Sequence, residues 1–245
     1  PLTIRATVMD GDKPVTAEDA VASIKRWAQK DSLGQKMNSF VKEWKVVDAK
    51  TFTATLSSPT GLMLLALGKP SSHVPFIMPK RIAEADPFKQ IDDYVGSGPF
   101  VFKKDEWKPG DKTVYVKNTK YKPRAEPANG LAGGKVVKVD RVEWLAIPDH
   151  QTAVNALLAG EIDYIEAPPH DLLPVLKKDK AIGLVDWNPL GNQYAFRFNT
   201  LAKPFDNVKV RQALLYAFNQ EDFLQAVIGD KQYYKTCKAL FVCGS

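Results

Sequence analysis

The stretch SGPFVFKKDEWKPGDKTVYVKN, residues 97–118, decides more about the fold than any other part of the sequence. Two short segments, in the second of which Val114 and Val116 alternate with polar residues, flank the pair Pro109-Gly110. Alternation with a period of two is typical of a half-buried strand, and a Pro-Gly pair favours a tight turn. The stretch therefore predicts a β-hairpin that serves as scaffold.

A helix is predicted upstream of this hairpin, beginning after Thr16. Thr16 and Asp19 have the spacing of a capping box, in which the Thr hydroxyl satisfies a helix amide that has no backbone partner. Apolar residues then recur every three or four positions, which places them on one face of the helix. They are Ala17, Ala20, Val21, Ile24, Trp27 and Ala28.

The remainder of the amino-terminal half alternates between strand and helix signals. Residues 2–9 predict an edge strand, and residues 43–48 and 51–56 predict a second hairpin with strict alternation in TFTATL. The apolar run 62–67 predicts a short buried helix.

The carboxy-terminal half gives a similar mixture, which predicts an α/β fold with a mixed α+β sheet. An exposed loop is expected over residues 121–135, because this part is rich in Pro, Gly, Ala and Asn. The expected elements are a strand at 139–147, a helix from Asp149 to Gly160, a strand at 162–165 that completes a βαβ unit, a helix at 171–178, strands at 182–187 and 193–199, a helix capped by Asp206, and a helix from Asn219 to Gly229.

Composition excludes several classes of function. The chain has 245 residues and a net charge of +6, but its lysines are interleaved with acids and no basic run reaches five residues, so nucleic-acid binding is not expected. No apolar run approaches the ~18 residues of a membrane span. Glycine-rich nucleotide motifs are absent, and the three histidines lie far in sequence from the two cysteines, so we expect no cofactor and no metal site.

Catalytic signals are weak throughout the chain. Ser97 lies between two glycines but enters a strand led by proline, whereas a nucleophile elbow leads into a helix. His73 has no nucleophile near it in sequence. A hydrolase would need a nucleophile and a base within reach of each other, so the sequence predicts a protein that is not an enzyme.

Five motifs follow one another in an order that resembles a known family. They are DGDKPVTAED at 10–19, GSGPFVFKKDEWKPGD at 96–111, NTKY at 118–121, IPDHQTAVNALLAGEID at 147–163, and the Asn, Pro-Phe, Val-Arg, Ala-Leu and Ala-Phe positions of 199–218. Together they resemble the extracytoplasmic solute-binding proteins of peptide, opine and nickel ABC importers, the oligopeptide/dipeptide-binding group.

The resemblance implies a periplasmic-binding-protein-like type II clamshell, of which this chain is expected to be a first-lobe fragment. Residues 1–186 would form a first-lobe subdomain, and residues 187–245 would begin the return into the main sheet of that lobe and then stop. The implied function is capture of a peptide or related small solute by closure of the lobes, followed by delivery to a membrane permease. The implied location is periplasmic or lipid-anchored and extracellular.

The resemblance also implies which residues contact ligand. By position they are Asn192, Gln193 and Tyr194 on the crossing strand, and Ser71, Ser72 and His73 in a loop. Two functions compete with transport, namely a sensor or chaperone that uses the same fold and, less favoured, a hydrolase.

The two cysteines, Cys237 and Cys243, are six positions apart, and their spacing allows either a small disulfide loop or two free thiols. Export, as in the family, favours the disulfide.

Overall fold

The computed structural model describes residues 13–70, 72–130, 132–188 and 191–239 in two compact units, residues 1–146 and residues 147–245. The predicted edge strand at 2–9 lies outside the described residues. The predicted boundary after residue 186 concerns the lobes of a longer clamshell, and it stays a prediction. Across the described parts of the chain, no helix combines the length and the apolar character needed to cross a membrane.

Helix α1 (Ala17–Lys30) begins with the predicted capping box. Asp19 N–H donates to Thr16 Oγ1 at 3.4 Å, and Thr16 N–H donates back to Asp19 Oδ2 at 2.8 Å. The helix ends at Asp31, whose side chain accepts from Gly34 N–H at 2.9 Å and so caps the next helix, α2 (Ser32–Asn38). One carboxylate therefore fixes the junction between two helices.

The first sheet of the amino-terminal unit is the predicted hairpin, β1 (Val41–Asp48) paired antiparallel with β2 (Thr51–Leu56). The chain continues into the predicted short helix α3 (Leu62–Leu67), of which Ala66 is fully buried. Contrary to the expectation of a buried helix, two of its leucines are exposed, Leu64 and Leu65. The core between these elements is formed by Ile24, Trp27, Ala28, Met37 and Ala66.

The second sheet contains the hairpin predicted from residues 97–118. Strand β3 (Phe100–Phe102) pairs antiparallel with β4 (Lys112–Lys117), which pairs antiparallel with β5 (Arg141–Leu145). The turn between β3 and β4 contains a short 3-10 helix, Lys104–Glu106, and Gly110 in the left-handed region with φ 78°. Arg141 on β5 donates to Glu106 and to Glu143, each at 2.6 Å, which ties the turn to the sheet. A short helix, α4 (Lys80–Ala83), precedes this sheet in the chain.

Helices dominate the carboxy-terminal unit. Helix α5 (His150–Ala159) is capped by Asp149 and stops at Gly160, which is left-handed with φ 74°, as predicted. A 3-10 turn, His170–Leu172, leads into α6 (Leu173–Leu176), and Leu173 and Leu176 pack with Val154 of α5. The last helices are α7 (Val208–Ala217) and α8 (Gln220–Ile228), followed by a 3-10 turn, Lys231–Tyr233.

Several predictions for this unit are wrong. Residues 162–165, 182–187 and 193–199 form no strand, so the predicted βαβ unit is not present. A strand needs a neighbour for its backbone hydrogen bonds, and none of the described residues pairs with these segments. Helix α7 is capped by Asn207, one residue after the predicted Asp206, and none of its residues is buried.

Candidate functional site

Two of the predicted ligand residues of the amino-terminal unit, Ser72 and His73, begin a loop that helix α1 contacts. Ser71 is outside the described residues, while Ser72 and His73 are both exposed. We define the 72–79 segment as the loop from Ser72 to the residue before α4.

Polar side chains on α1 bind the backbone of this region at successive points. Trp27 Nε1–H donates to the carbonyl of His73, and the buried Ser23 hydroxyl bonds both backbone groups of Met78, at 2.9 and 3.1 Å. Asp19 Oδ1 accepts from Lys80 N–H at 2.7 Å. Because these residues are spaced by four along the helix, they lie on one face of it. We call Asp19, Ser23 and Trp27 the α1 anchors.

The backbone of the 72–79 segment is unusual at its beginning. Ser72 and His73 have φ values of 57° and 52°, which place two consecutive residues with side chains in the left-handed region. Such a conformation is uncommon outside glycine and persists only where surrounding contacts impose it. Ser72 Oγ lies 3.4 Å from His73 Nδ1. Of the α1 anchors, Trp27 contacts this pair directly, through the carbonyl of His73.

A buried ion pair lies just before this loop. Lys69 Nζ is 2.6 Å from Asp31 Oδ2, with side-chain exposures of 19% and 5%. The hydrogen bond from Lys69 holds the pKa of the Asp31 carboxyl below its ordinary value, although burial opposes the shift. The pair connects the entry of the loop to the junction of α1 and α2.

The predicted ligand residues of the carboxy-terminal unit, Asn192, Gln193 and Tyr194, are also exposed. Asn192 Oδ1 accepts from Asn188 Nδ2 at 3.1 Å, and Gln193 Nε2 donates to the carbonyl of Ala239 at 3.0 Å. The Tyr194 ring meets Phe223 of α8 edge-on at 6.0 Å between centroids. The structure therefore gives each of them a contact within its own unit, and their ligand role stays a prediction.

Tyr194 belongs to a larger aromatic cluster. Phe196 packs edge-on against Phe218 at 4.7 Å and against Phe223 at 5.6 Å, and Phe218 contacts Phe223 at 5.4 Å. Tilted and edge-on arrangements of this kind are favourable beyond the area that they bury. Tyr194 and Phe196 nevertheless keep 58% and 59% of their surface exposed, so the cluster presents aromatic surface to solvent.

In the described parts of the chain, no three His, Cys, Asp or Glu side chains come together as metal ligands. Two neighbouring acids make structural contacts: Asp93 bonds Arg81 at 2.6 Å, and Asp92 offers its backbone carbonyl to Lys104. Cys237 is described and Cys243 is not, so the predicted disulfide falls outside the described residues.

Sequence reasoning missed the role of the α1 anchors. It assigned Trp27 to the apolar face and gave Ser23 no role. A signal was available, since Asp19, Ser23 and Trp27 recur every four residues and form a stripe that includes polar atoms. The partners of this stripe are 46 to 61 residues away in sequence, however, and no local pattern identifies them.

Comparison with solved structures defines the class of fold. The structure of the periplasmic binding protein DppA from Helicobacter pylori, in complex with the peptide STSA, matches with a TM-score of 0.68 at 21% identity and covers 93% of this chain and 46% of that one. The fold is therefore that of a type II periplasmic binding protein.

Sequence comparison identifies the family. The sequence model described as "Bacterial extracellular solute-binding proteins, family 5 Middle" matches residues 9–236, and the chain belongs to this family. A probable peptide ABC transporter periplasmic-binding protein, y4tO, of Sinorhizobium fredii is 44% identical over 93% of this chain and 43% of its own length. The oligopeptide-binding protein OppA of Bacillus subtilis is 30% identical over 77% of this chain and 32% of its own. The chain thus spans less than half the length of these relatives.

Proposed function

We propose that this chain is part of the substrate-binding component of an ABC importer, which captures a peptide or a related small solute and delivers it to a membrane permease. One observation carries the proposal, namely 44% identity over 93% of the chain to a relative named as a probable peptide ABC transporter periplasmic-binding protein. Membership of an extracellular solute-binding family supports a location outside the cytoplasmic membrane, either periplasmic or lipid-anchored.

The proposed mechanism is capture by closure. In a clamshell, the closed state makes contacts with the solute that the open state lacks, and these differential contacts shift the population toward closure. Ser72, His73, Asn192, Gln193 and Tyr194 are the described candidates for such contacts. Their exposure leaves their polar groups accessible to a solute. No step of this mechanism requires a covalent intermediate or a cofactor.

Mass spectrometry of the native protein tests the proposal. The protein is purified from its own cells, at the length in which they express it, and its bound small molecules are released and identified. We expect a short peptide or a small set of peptides. Retention of no solute, together with no thermal stabilisation across a panel of peptides, would refute the proposal.

Two controls separate transport from the competing functions. Peptides recovered intact after prolonged incubation with the protein argue against a hydrolase, whereas shortened peptides would overturn the assignment as a protein that is not an enzyme. A sensor or chaperone would retain a receptor or client protein in a pull-down without responding to small solutes.

We also propose that Cys237 and Cys243 pair, as export to an oxidising compartment favours. Intact-mass measurement before and after reduction, with alkylation of free thiols, gives a direct test. The proposal requires that no thiol is alkylated until reductant is added. Alkylation of both cysteines in the untreated exported protein would contradict it.

A further inference from the structure

One of the α1 anchors, Trp27, contacts a residue that sequence analysis assigned to the solute. Trp27 donates its indole N–H to the carbonyl of His73, and Trp27 itself is 8% exposed. Its ring packs in the core with Ile24 and Met37, so the donor atom has a fixed position. The bond therefore fixes the backbone carbonyl of His73, an exposed residue, relative to the core.

The other end of the loop is held as firmly. Ser23 bonds the amide and the carbonyl of Met78, and Pro75 restricts the backbone between the two fixed points, His73 and Met78. The first fixed point, His73, follows Ser72, and both residues are left-handed, a conformation that a free loop of this sequence would avoid. Conformational strain held in place by surrounding contacts is characteristic of ligand-binding elements.

The fixed backbone sets the direction of the Cα–Cβ bond of His73, from which the imidazole projects. His73 is exposed, and its Nδ1 lies 3.4 Å from Ser72 Oγ. An imidazole carries at least one N–H donor in every protonation state, so its natural partner is an oxygen acceptor. A peptide offers such acceptors in its carbonyl groups and its terminal carboxylate.

We propose that Trp27 is a positioning residue that holds the backbone of His73 so that the imidazole donates a hydrogen bond to an oxygen of the peptide solute. This inference rests on the proposed function, because it names the contact by which that function recognises its ligand. If the loop already has its bound conformation, binding of the solute carries no entropic cost of ordering the loop.

The test removes the Trp27 donor without changing the shape of the ring. Trp27 is replaced site-specifically by 3-benzothienylalanine, in which sulfur takes the place of the indole N–H. The matched control is the same replacement at Trp44, whose indole N–H donates to Asn38 Oδ1 at 3.0 Å, away from the loop. The second variant is His73→Gly, which removes the imidazole and tolerates the left-handed backbone.

Binding is measured with a random tripeptide library with free termini, and the most strongly retained tripeptide is then titrated by calorimetry. We expect the replacement at position 27 to weaken binding about three- to tenfold, as the loss of one hydrogen bond does. The replacement at position 44 should leave the affinity unchanged.

A double-variant cycle separates positioning from general stability. If Trp27 acts through His73, the replacement at position 27 has no further effect once His73→Gly has removed the imidazole. Two results would overturn the inference while the proposed function stands. One is that the replacement at position 27 weakens binding by the same factor with and without His73→Gly; the other is that it leaves the affinity unchanged. If the wild-type protein retains no tripeptide, the proposed function fails and the inference fails with it.

Discussion

The buried ion pair between Asp31 and Lys69 predicts that substituting either residue lowers the free energy of unfolding, and it predicts which of the two substitutions costs more. The two partners differ in their access to water, since the Asp31 side chain is 5% exposed and the Lys69 side chain 19% exposed. Asp31 also caps α2 through Gly34 N–H. Removing Asp31 therefore leaves an ammonium group with some access to water, whereas removing Lys69 leaves a carboxylate that is almost fully buried.

Asp31→Asn should cost about 1–2 kcal/mol of unfolding free energy. The amide oxygen of Asn can still cap α2, and the freed ammonium of Lys69 can turn toward solvent, so the cost lies between those of exposed and buried pairs. Lys69→Met should cost about 2–4 kcal/mol, because the carboxylate stays buried without its cationic partner and keeps only backbone amide donors. The lysine substitution is thus expected to be the more damaging.

The pH dependence has a definite direction. The pKa of Asp31 is lowered in the folded protein, so its contribution to stability is present above the unfolded value of about 4 and is lost as the pH falls through the lower folded value. The difference in stability between wild type and Asp31→Asn should be constant near neutral pH and should shrink below about pH 4.

Urea unfolding in a Trp187→Phe background measures these differences. Trp187 is 79% exposed and lies in the carboxy-terminal unit, so its removal confines tryptophan fluorescence to the unit that contains the pair. Lys108→Met, which breaks an exposed pair with Asp111 at 3.9 Å, is the control and should leave the midpoint unchanged. A larger loss in Asp31→Asn than in Lys69→Met would refute the reasoning from access to water.

Three further predictions use the same unfolding assay. Gly133→Ala should cost more than about 2 kcal/mol, because φ is +75° and a Cβ would lie 1.9 Å from a backbone oxygen, whereas Gly130→Ala, with φ +53° and open space, should cost about 1. Thr16→Ala should cost about 1 kcal/mol through loss of the helix cap, and Thr16→Ser should restore most of it. Arg141→Gln should destabilise the protein above about pH 5 and progressively less below it, because Arg141 lowers the pKa of both glutamates that it binds; equal effects at pH 4 and pH 7 would contradict this.

Sequence predicts well those features that neighbouring residues decide. The capping box at Thr16, the cap at Asp149 and the stop at Gly160 are formed by residues within one or two helical turns of one another, so their chemistry is visible in the sequence. The β3–β4 hairpin is visible for the same reason, since its turn and its alternation lie within about twenty residues.

Features formed by distant residues could not be predicted in this way. The bond from Trp27 to the carbonyl of His73 uses a backbone group, which every residue possesses, so nothing in the identity of residue 73 marks it as the partner. The same holds for Ser23 and Met78. Family resemblance directed attention to residues 71–73 by position, while the structure supplies the physical reason for considering the described part of that loop.

The segment around Tyr194 shows why alternation alone did not predict a strand correctly. Two separate conditions make a strand, namely side chains that alternate between two environments and a neighbouring backbone that completes the hydrogen-bond ladder. Here the first condition holds for ring contacts, because the alternate residues Tyr194, Phe196 and Phe198 all pack against other aromatic rings, although Tyr194 and Phe196 stay more than half exposed. The second does not hold within the described residues. The alternating pattern therefore indicates which side of the segment the aromatic rings occupy. It does not predict backbone pairing, because pairing depends on a neighbouring strand elsewhere in the chain.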